Sequence, residues 1–441
     1  MNVSVHYQIR GDSSNQIAAS IEDGIRSSRL ASGERLPTVR ALAARLHVSP
    51  TTVAAAYNAL RVRGLVHGSG RRGTVVNRRP PLMTRAAPAP AVGLRNLFEG
   101  GPDPAMLPSL KPYLARLDGN PGKYGDAENR NELIELAARQ FKRDGISASS
   151  LAVVSGALDA VERVLQGWLR PGDRVAVEDP SYTGVLDLVA AMGLVAEPVE
   201  IDDSGPLGAE LKRALKLGAK AFILTPRAQN PTGAALDRRR AHELRDVLVG
   251  FPECVLIEDD HAGPVAGVPA FTLSSGRARW AIARSVSKSL GPDLRVSVMA
   301  GDALTVARVQ GRQSLGPRWV SHILQDLVAQ LWSDTKTSTM LRTAADTYAH
   351  RRHVLIKTLA EYGIEARGRS GLNVWIPVIE EAAVTNAMAE KGWAIRAGES
   401  YRIKSPPGIR VTVSTLTDDE SRRFAADLAA SLRPRSTAQS A

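Results

Sequence analysis

The chain has 441 residues, 44% of them apolar, which suits two or three domains with their own cores and excludes disorder as the default. Lys and Arg outnumber Asp and Glu by 57 to 45, for a net charge of +12. That balance favours an anionic partner, although charge alone does not separate nucleic acid from an acidic membrane surface. No signal-type apolar block follows Met1, and no run of about 18 apolar residues occurs. A cytoplasmic protein without a membrane partner is therefore expected. The lone Cys254, in an apolar run, rules out an internal disulfide and a cysteine metal cluster; it reads as a small core filler, and no metal is expected.

Three helical stripes precede residue 65. Ile17, Ile21 and Ile25 recur every four residues; Val39, Leu42, Ala43 and Leu46, then Val53, Ala56, Tyr57 and Leu60, follow i, i+3, i+4, i+7 spacing. Between the last two stripes, His47-Val48-Ser49-Pro50 reads as a short turn. Ser49 is suited to cap the next helix, and Pro50 fills the first helical position, where a missing N–H costs nothing. Gly64 is expected to end the third helix. Leu65-Val66 and Thr74-Val75-Val76 then read as two strands around a glycine-rich basic tip at 67–73, a wing.

The third helix would turn Thr51, Thr52, Ala55 and Asn58 away from its core stripe, small side chains that allow close entry into a major groove. Arg35, Arg40, Arg71 and Arg72 would flank it on phosphates or in the minor groove, and Thr38 and Ser49 complete the candidate DNA-contacting set. By pattern alone, a plain helical bundle with solvated arginines is the alternative. The segment resembles the GntR family, however, at Gly33-Glu34-Arg35-Leu36-Pro37-Thr38-Val39-Arg40, at Leu42-Ala43-Ala44-Arg45-Leu46, at Val48-Ser49 with Thr51-Thr52-Val53, and at Gly64-Leu65-Val66. The resemblance implies a winged helix-turn-helix over 1–77 that binds a double-stranded DNA operator. Residues 77–92 carry four prolines and no periodicity, so 78–97 reads as a semi-extended linker ahead of a domain at 98–441.

In that domain Val175-Ala176-Val177, Ala221-Phe222-Ile223-Leu224, Val255-Leu256-Ile257 and Ala281-Ile282-Ala283 read as strands of an α/β sheet. Polar signatures follow each strand, at the edge where open α/β sheets bind ligands. The residue types suit pyridoxal phosphate. Lys288 supplies an amine for a Schiff base, and Asp259, with neighbouring Asp260 as the alternative, supplies an acid for the pyridine nitrogen. Asn230 supplies a donor for the phenolic oxygen, and Tyr182 a stacking face. Ser285, Ser287, Arg295 and the backbone of Gly156 and Ala157 at a helix start supply phosphate donors.

In this order the signatures resemble fold type I aminotransferases over 98–441. The resemblance implies a large α/β domain with a smaller C-terminal α+β domain. It also implies Arg410 as the clamp on an effector or substrate carboxylate, and Tyr124 reaching the neighbouring subunit's phosphate in a homodimer. A strand-edge arginine is the plainer reading of Arg410. Winged helix, linker and aminotransferase-like domain together resemble the MocR subfamily of GntR regulators. The runs 155–163, Thr225-Pro226-Arg227-Ala228-Gln229-Asn230-Pro231-Thr232-Gly233, Asp259-Asp260-His261 and Arg318-Trp319-Val320-Ser321-His322 most resemble its PtsJ-type branch, which is associated with vitamin B6 salvage genes.

One departure stands out: His261 occupies the place of a tyrosine in many relatives. An imidazole titrating near neutrality would donate to the phenolic oxygen in a pH-dependent way, unless His261 is simply structural. The expectation is a homodimeric, pyridoxal phosphate-dependent transcriptional regulator that senses the cofactor or an amino compound reacting with it. A working aminotransferase tethered to DNA is the alternative, and a vestigial body that only dimerises is a third reading.

Overall fold

The computed structural model describes residues 7–27, 29–62, 65–68, 73–77, 93–118 and 123–432. The expected helix stop at Gly64, the wing-tip Arg71 and Arg72, and the proline-containing segment 78–92 lie outside the described residues.

The N-terminal helices form where their caps and stripes dictate. Helix α1 (Ser14–Arg26) starts at Ser13, whose side chain accepts from the Gln16 N–H. Helix α2 (Val39–Leu46) starts at Thr38, which accepts from Ala41, and ends at His47 with φ of 55°. Helix α3 (Pro50–Val62) follows at once, with Ser49 Oγ accepting from the Thr52 N–H at 3.1 Å. Such caps are worth about 1 kcal/mol each. Ile17, Ile21, Leu42, Val53, Ala56, Tyr57 and Leu60 bury their stripes in one core with Val66 and Val76. The latter two come from strands β1 (Val66–Gly68) and β2 (Thr74–Val76), paired antiparallel from Val66↔Val76 to Gly68↔Thr74. Strand β1 thus runs through His67 and Gly68, which pattern alone had placed in the wing tip. The ladder continues there, and His67 Nδ1 lies 2.6 Å from Asn77 Oδ1. Arg35 joins through a bridge to Val75. This module is a winged helix-turn-helix.

The second body begins with β3 (Arg95–Asn96), followed by β4 (Leu151–Val154), β5 (Arg174–Asp179), β6 (Val195–Asp202), β7 (Gly205–Pro206) and β8 (Ala219–Leu224). Then come β9 (Val255–Asp260), β10 (Trp280–Ser285) and β11 (Ser297–Gly301). Eight of these form one sheet in the order β4-β11-β10-β9-β8-β5-β6-β7. Its central strands carry apolar runs and are buried at every position but Lys220, as in a sheet covered on both faces. Registers Leu224↔Glu258, Ala283↔Asp259 and Arg284↔Asp260 align the carboxyl ends of the parallel strands β8, β9 and β10. The segments after these strands therefore open on one edge of the sheet.

A smaller C-terminal part carries β12 (Asn373–Pro377), β13 (Trp393–Ala394), β14 (Arg396–Ala397) and β15 (Gly408–Thr412). Strands β12, β15 and β14 form an antiparallel sheet with β15 in the middle. Val374, Ile376, Val411 and Ile409 pack there with Leu355, Leu359, Phe424 and Leu428 from flanking helices. Cys254 is a buried free thiol in the larger core, and burial pushes its pKa up to about 12.

Candidate functional site

Alternation along β9 sends Asp259 and Asp260 to opposite faces, and their partners differ accordingly. Asp260 accepts from Arg227 Nε and Nη2 at 2.8 and 2.9 Å and from Arg284 Nε at 2.7 Å. Arg284 also reaches Asp144 at 2.6 Å. Burial opposes ionisation of Asp260, but the two guanidinium groups hold its carboxyl well below the usual range. Asp259 is 5% exposed, and its Oδ1 is buried with no hydrogen-bond partner among the described residues. Burial, reinforced by Asp260, pushes its pKa up to about 7 against the pull of Lys288. Asp260 is therefore committed to a structural ion cluster, and Asp259 is the acid with a free oxygen.

Lys288 follows β10 and donates through Nζ to the Gly100 carbonyl at 2.6 Å. Burial and then Arg410 bring its pKa down to about 8, which raises the share of nucleophilic amine near neutrality. Arg410, 3% exposed on the central strand β15, donates to Asn230 Oδ1 at 3.1 Å and to the Phe98 carbonyl. The plainer reading of Arg410 as a strand-edge residue is thus set aside. With its oxygen engaged, Asn230 keeps the amide NH2 as the donor for a ligand oxygen. Tyr182 follows β5; its hydroxyl pKa is raised by burial and then by Asp259, and Tyr401, Arg410 and Arg396 also act on it.

His261 Nδ1 lies 4.0 Å from Asp259 Oδ1. Burial, followed by Lys288, pushes its pKa down to about 4, so the imidazole is neutral at neutral pH. The expected titration near neutrality is corrected: desolvation of a charged ring outweighs the nearby carboxylates.

Of the residues expected around a phosphate, Arg295 meets Ser155 and Gly156 just before the helix Ala157–Trp168, and Ser285 and Ser287 meet each other at the end of β10. Ser285 Oγ lies 2.9 Å from Ser287 Oγ and accepts from the Ser287 N–H at 3.2 Å. Arg295 adopts φ of 46° and donates to the Ser155 carbonyl at 3.1 Å. Gly156 has φ of 116°, and a Cβ there would stand 2.6 Å from Arg295 Nη2, so only glycine lets the guanidinium lie on this backbone. A helix start, hydroxyls and an arginine are the donor types that would suit a phosphate. Tyr124 is 84% exposed, edge-on to Trp319 at 5.8 Å and beneath Arg318 at 5.4 Å.

Arg227 stands in the motif at 225–233 and Arg284 directly follows the run Ala281-Ile282-Ala283, but neither has a role in the sequence reading. Their signal was an arginine after β8 and another at the end of β10, either side of β9's paired aspartates. Gln229 was missed too: it accepts from the Thr232 N–H at 3.0 Å and donates to the Pro180 carbonyl at 2.8 Å, tying the Asn230 loop to the Tyr182 loop.

These groups fit pyridoxal phosphate. Asp259's unpaired oxygen matches a protonated ring nitrogen, Asn230 and His261 suit the phenolic oxygen, and Tyr182 suits the ring face. Ser285, Ser287, Arg295, Gly156 and Ala157 suit the phosphate. When bound, the cofactor supplies an aldehyde that reacts with amines and a ring that withdraws electrons. In such a complex Lys288 would supply the amine, Asp259 would hold the ring proton, and Arg410 would orient an incoming carboxylate.

On the winged helix, Thr51, Ala54, Ala55 and Asn58 are exposed along α3, whereas Thr52 is half-buried. Ser49 Oγ lies 2.7 Å from Thr51 Oγ1 and 2.8 Å from Thr52 Oγ1, so one cap organises both hydroxyls. Arg35, Thr38 and Arg40 are exposed beside it, with the Thr38 side chain also engaged as the α2 cap.

A DNA-reading winged helix and a pyridoxal phosphate site in one chain define a cofactor-dependent transcriptional regulator of aminotransferase architecture. Residues 99–428 match the family described as aminotransferase class I and II, and residues 13–76 match the bacterial regulatory proteins of the gntR family. The chain is 40% identical over 423 residues to the vitamin B6 salvage pathway transcriptional repressor PtsJ of Salmonella typhimurium, covering 95% of this chain and 98% of that protein. It is 27% identical over 405 residues to the HTH-type transcriptional regulator TauR of Rhodobacter capsulatus, covering 82% of each. A kynurenine aminotransferase of Pyrococcus horikoshii shares the fold, with a TM-score of 0.72 at 20% identity over 78% of this chain and 91% of that one. The chain belongs to the aminotransferase class I and II family and, through its gntR segment, to the MocR-type regulators that join the two. No helix among the described residues is long and apolar enough to cross a membrane.

Proposed function

We propose that this protein is a homodimeric repressor of vitamin B6 salvage genes whose operator affinity is set by pyridoxal phosphate, alone or with an amino compound. The observation that carries the reading is the Asp259 carboxyl, buried with an unpaired oxygen within electrostatic reach of Lys288 in a body fused to a DNA reader. A regulator without a ligand at this place would have no offset for that buried group. The name of the Salmonella relative supports the pathway. The exposed Tyr124, with Arg318 over its ring, supports a dimer in which it serves the partner's phosphate. The site signals by linkage: cofactor bound more tightly in one arrangement of the body shifts the paired winged helices toward that arrangement.

Titrating a labelled operator with apo and pyridoxal phosphate-loaded protein at fixed salt tests this. The two affinities are expected to differ by about 5- to 150-fold, the usual span of allosteric coupling. Superimposable isotherms would overturn it. A second reading, a working aminotransferase held on DNA, is favoured by the buried Arg410 and by the Lys288 amine at about 8. Steady keto-acid production by the purified protein would support that one.

A further inference from the structure

Arg396 on β14 and Arg410 on β15 stand directly opposite one another in antiparallel register, so their side chains share a face. Both guanidinium groups lie over the Tyr401 ring, at 5.6 and 5.3 Å, and Arg396 also lies over the Phe98 ring at 4.5 Å. Like charges directly opposite in a sheet destabilise it, and this pair has no built-in counter-charge. Arg410's hydrogen bonds go to a neutral amide and a carbonyl, and its Nε is buried without an acceptor. Arg396 forms no ion pair among the described residues. Burial, and then the charge of Arg396, lower the pKa of Arg410. Both cations also act on Tyr182, which places the pair at the rim of the cofactor site.

A single carboxylate docks side-on to one planar guanidinium through two parallel hydrogen bonds. With Arg410 so occupied, Arg396 would remain a half-buried cation facing another. We infer that Arg396 is a second anion-binding residue, and that the small molecule taken here is an amino compound with two anionic groups, one for each arginine. This rests on the reading of the pocket given under Proposed function, and it adds the ligand's charge class. The rings of Tyr401 and Phe98 hold the Arg396 guanidinium in place ahead of the ligand, which lowers the ordering cost of binding.

The test uses the full-length, cofactor-loaded protein titrated with L-glutamate, L-aspartate, L-glutamine and L-alanine, read by the visible absorbance of the bound cofactor. At least one of the two acidic amino acids is expected to bind about 10-fold or more tightly than L-glutamine, which has the shape of glutamate without the second charge. Arg396→Gln should weaken that acidic ligand by about 10- to 100-fold, the usual worth of a charge-assisted hydrogen bond, while changing L-glutamine by less than about 2-fold. Arg396→Lys, which keeps the charge, should retain the acidic preference. L-Glutamine binding as tightly as both acids would overturn the inference, as would an equal loss for charged and neutral ligands in Arg396→Gln. A spectrum unmoved by any amino acid would also overturn it. In that case operator binding that still responds to pyridoxal phosphate would leave the reading of the cofactor as a signal intact, so the two failures are told apart.

Discussion

Replacing Asp259 with Asn should make the cofactor-free protein more stable and the cofactor-loaded protein worse at its task. Burial and Asp260 raise the Asp259 pKa from 3.8 to about 7 in the folded chain. For an acid raised in this way, its contribution is fully present below about pH 4 and is lost as pH rises through about 7. The folded state then carries a buried anion that the unfolded chain would hold in water. The difference amounts to about 4 kcal/mol at pH 8, at about 1.4 kcal/mol per pK, and to about 2 kcal/mol at pH 5. Asn has nearly the same shape and no charge, and like neutral Asp it leaves a buried polar atom unpaired, so that cost cancels. Glu178 and Glu258, each pushed up to about 8 by burial, titrate in both proteins; Glu258 cancels, and Glu178 does so apart from the smaller push it receives from Asp259. With about 2.1 cal/mol/K of unfolding entropy per residue over residues 99–428, 4 kcal/mol corresponds to a Tm higher by about 6 °C for apo Asp259→Asn at pH 8. The gap should shrink to nothing near pH 4. Pyridoxal phosphate should reverse the order, since a protonated ring nitrogen pairs with a carboxylate and not with an amide. Its affinity should fall by about 10- to 150-fold in the variant. Scanning calorimetry at pH 4, 5 and 8, with and without cofactor, reads both effects. A Tm difference independent of pH, or a wild-type apo-protein more stable than the variant at pH 8, would refute the assignment of Asp259 as the unpaired acid.

Lys288→Ala should abolish the visible absorbance of bound cofactor and any borohydride-fixed adduct while leaving the circular dichroism intact, because the side chain's hydrogen bond in the fold is to one carbonyl, that of Gly100; an unchanged adduct would move the anchor elsewhere. Asp260→Asn should destabilise the body by about 3–5 kcal/mol in urea unfolding, since it strips the charge partner from the buried Arg227 and Arg284; a loss under about 1 kcal/mol would contradict the ion cluster. Thr51→Tyr on the exposed side of α3 should cut discrimination between operator and random DNA by blocking groove entry. Arg40→Ala should instead weaken all sequences alike and lower the salt slope by about 1. Equal effects of the two changes on specific and random DNA would mean that α3 does not enter the groove.

What could be read from the sequence was what depends on near neighbours in the chain. Apolar stripes fixed the three N-terminal helices, and the Ser49 cap and Pro50 fixed where α3 begins, because those signals act over four residues. Motifs after successive apolar runs indicated the loops of the cofactor site, because parallel strands align their carboxyl ends. The outcome at β1 shows the limit of this logic. His67 and Gly68 look like wing tip by composition, yet cross-strand pairing and a contact with Asn77 hold them in the ladder.

The site's finer chemistry was decided by residues far apart in sequence. Nothing in Ile257-Glu258-Asp259-Asp260-His261 says which aspartate is free. Alternation puts the two on opposite faces, but the faces are distinguished only by Arg227 and Arg284, which the sheet order β8-β9-β10 brings to either side. The same arrangement tunes the free acid. Asp260, held ionised by two arginines, is a fixed negative charge beside Asp259, and it adds to burial in keeping Asp259 reluctant to ionise until a cation arrives. His261 completes the effect, since a neutral imidazole 4.0 Å away offers no competing positive charge. A ring nitrogen that brings its own proton is thus the hydrogen-bonded counter-charge that Asp259 lacks. Part of the binding energy therefore depends on a protonated ring, which is what a cofactor sensor needs to tell pyridoxal phosphate from phosphates that carry no such ring.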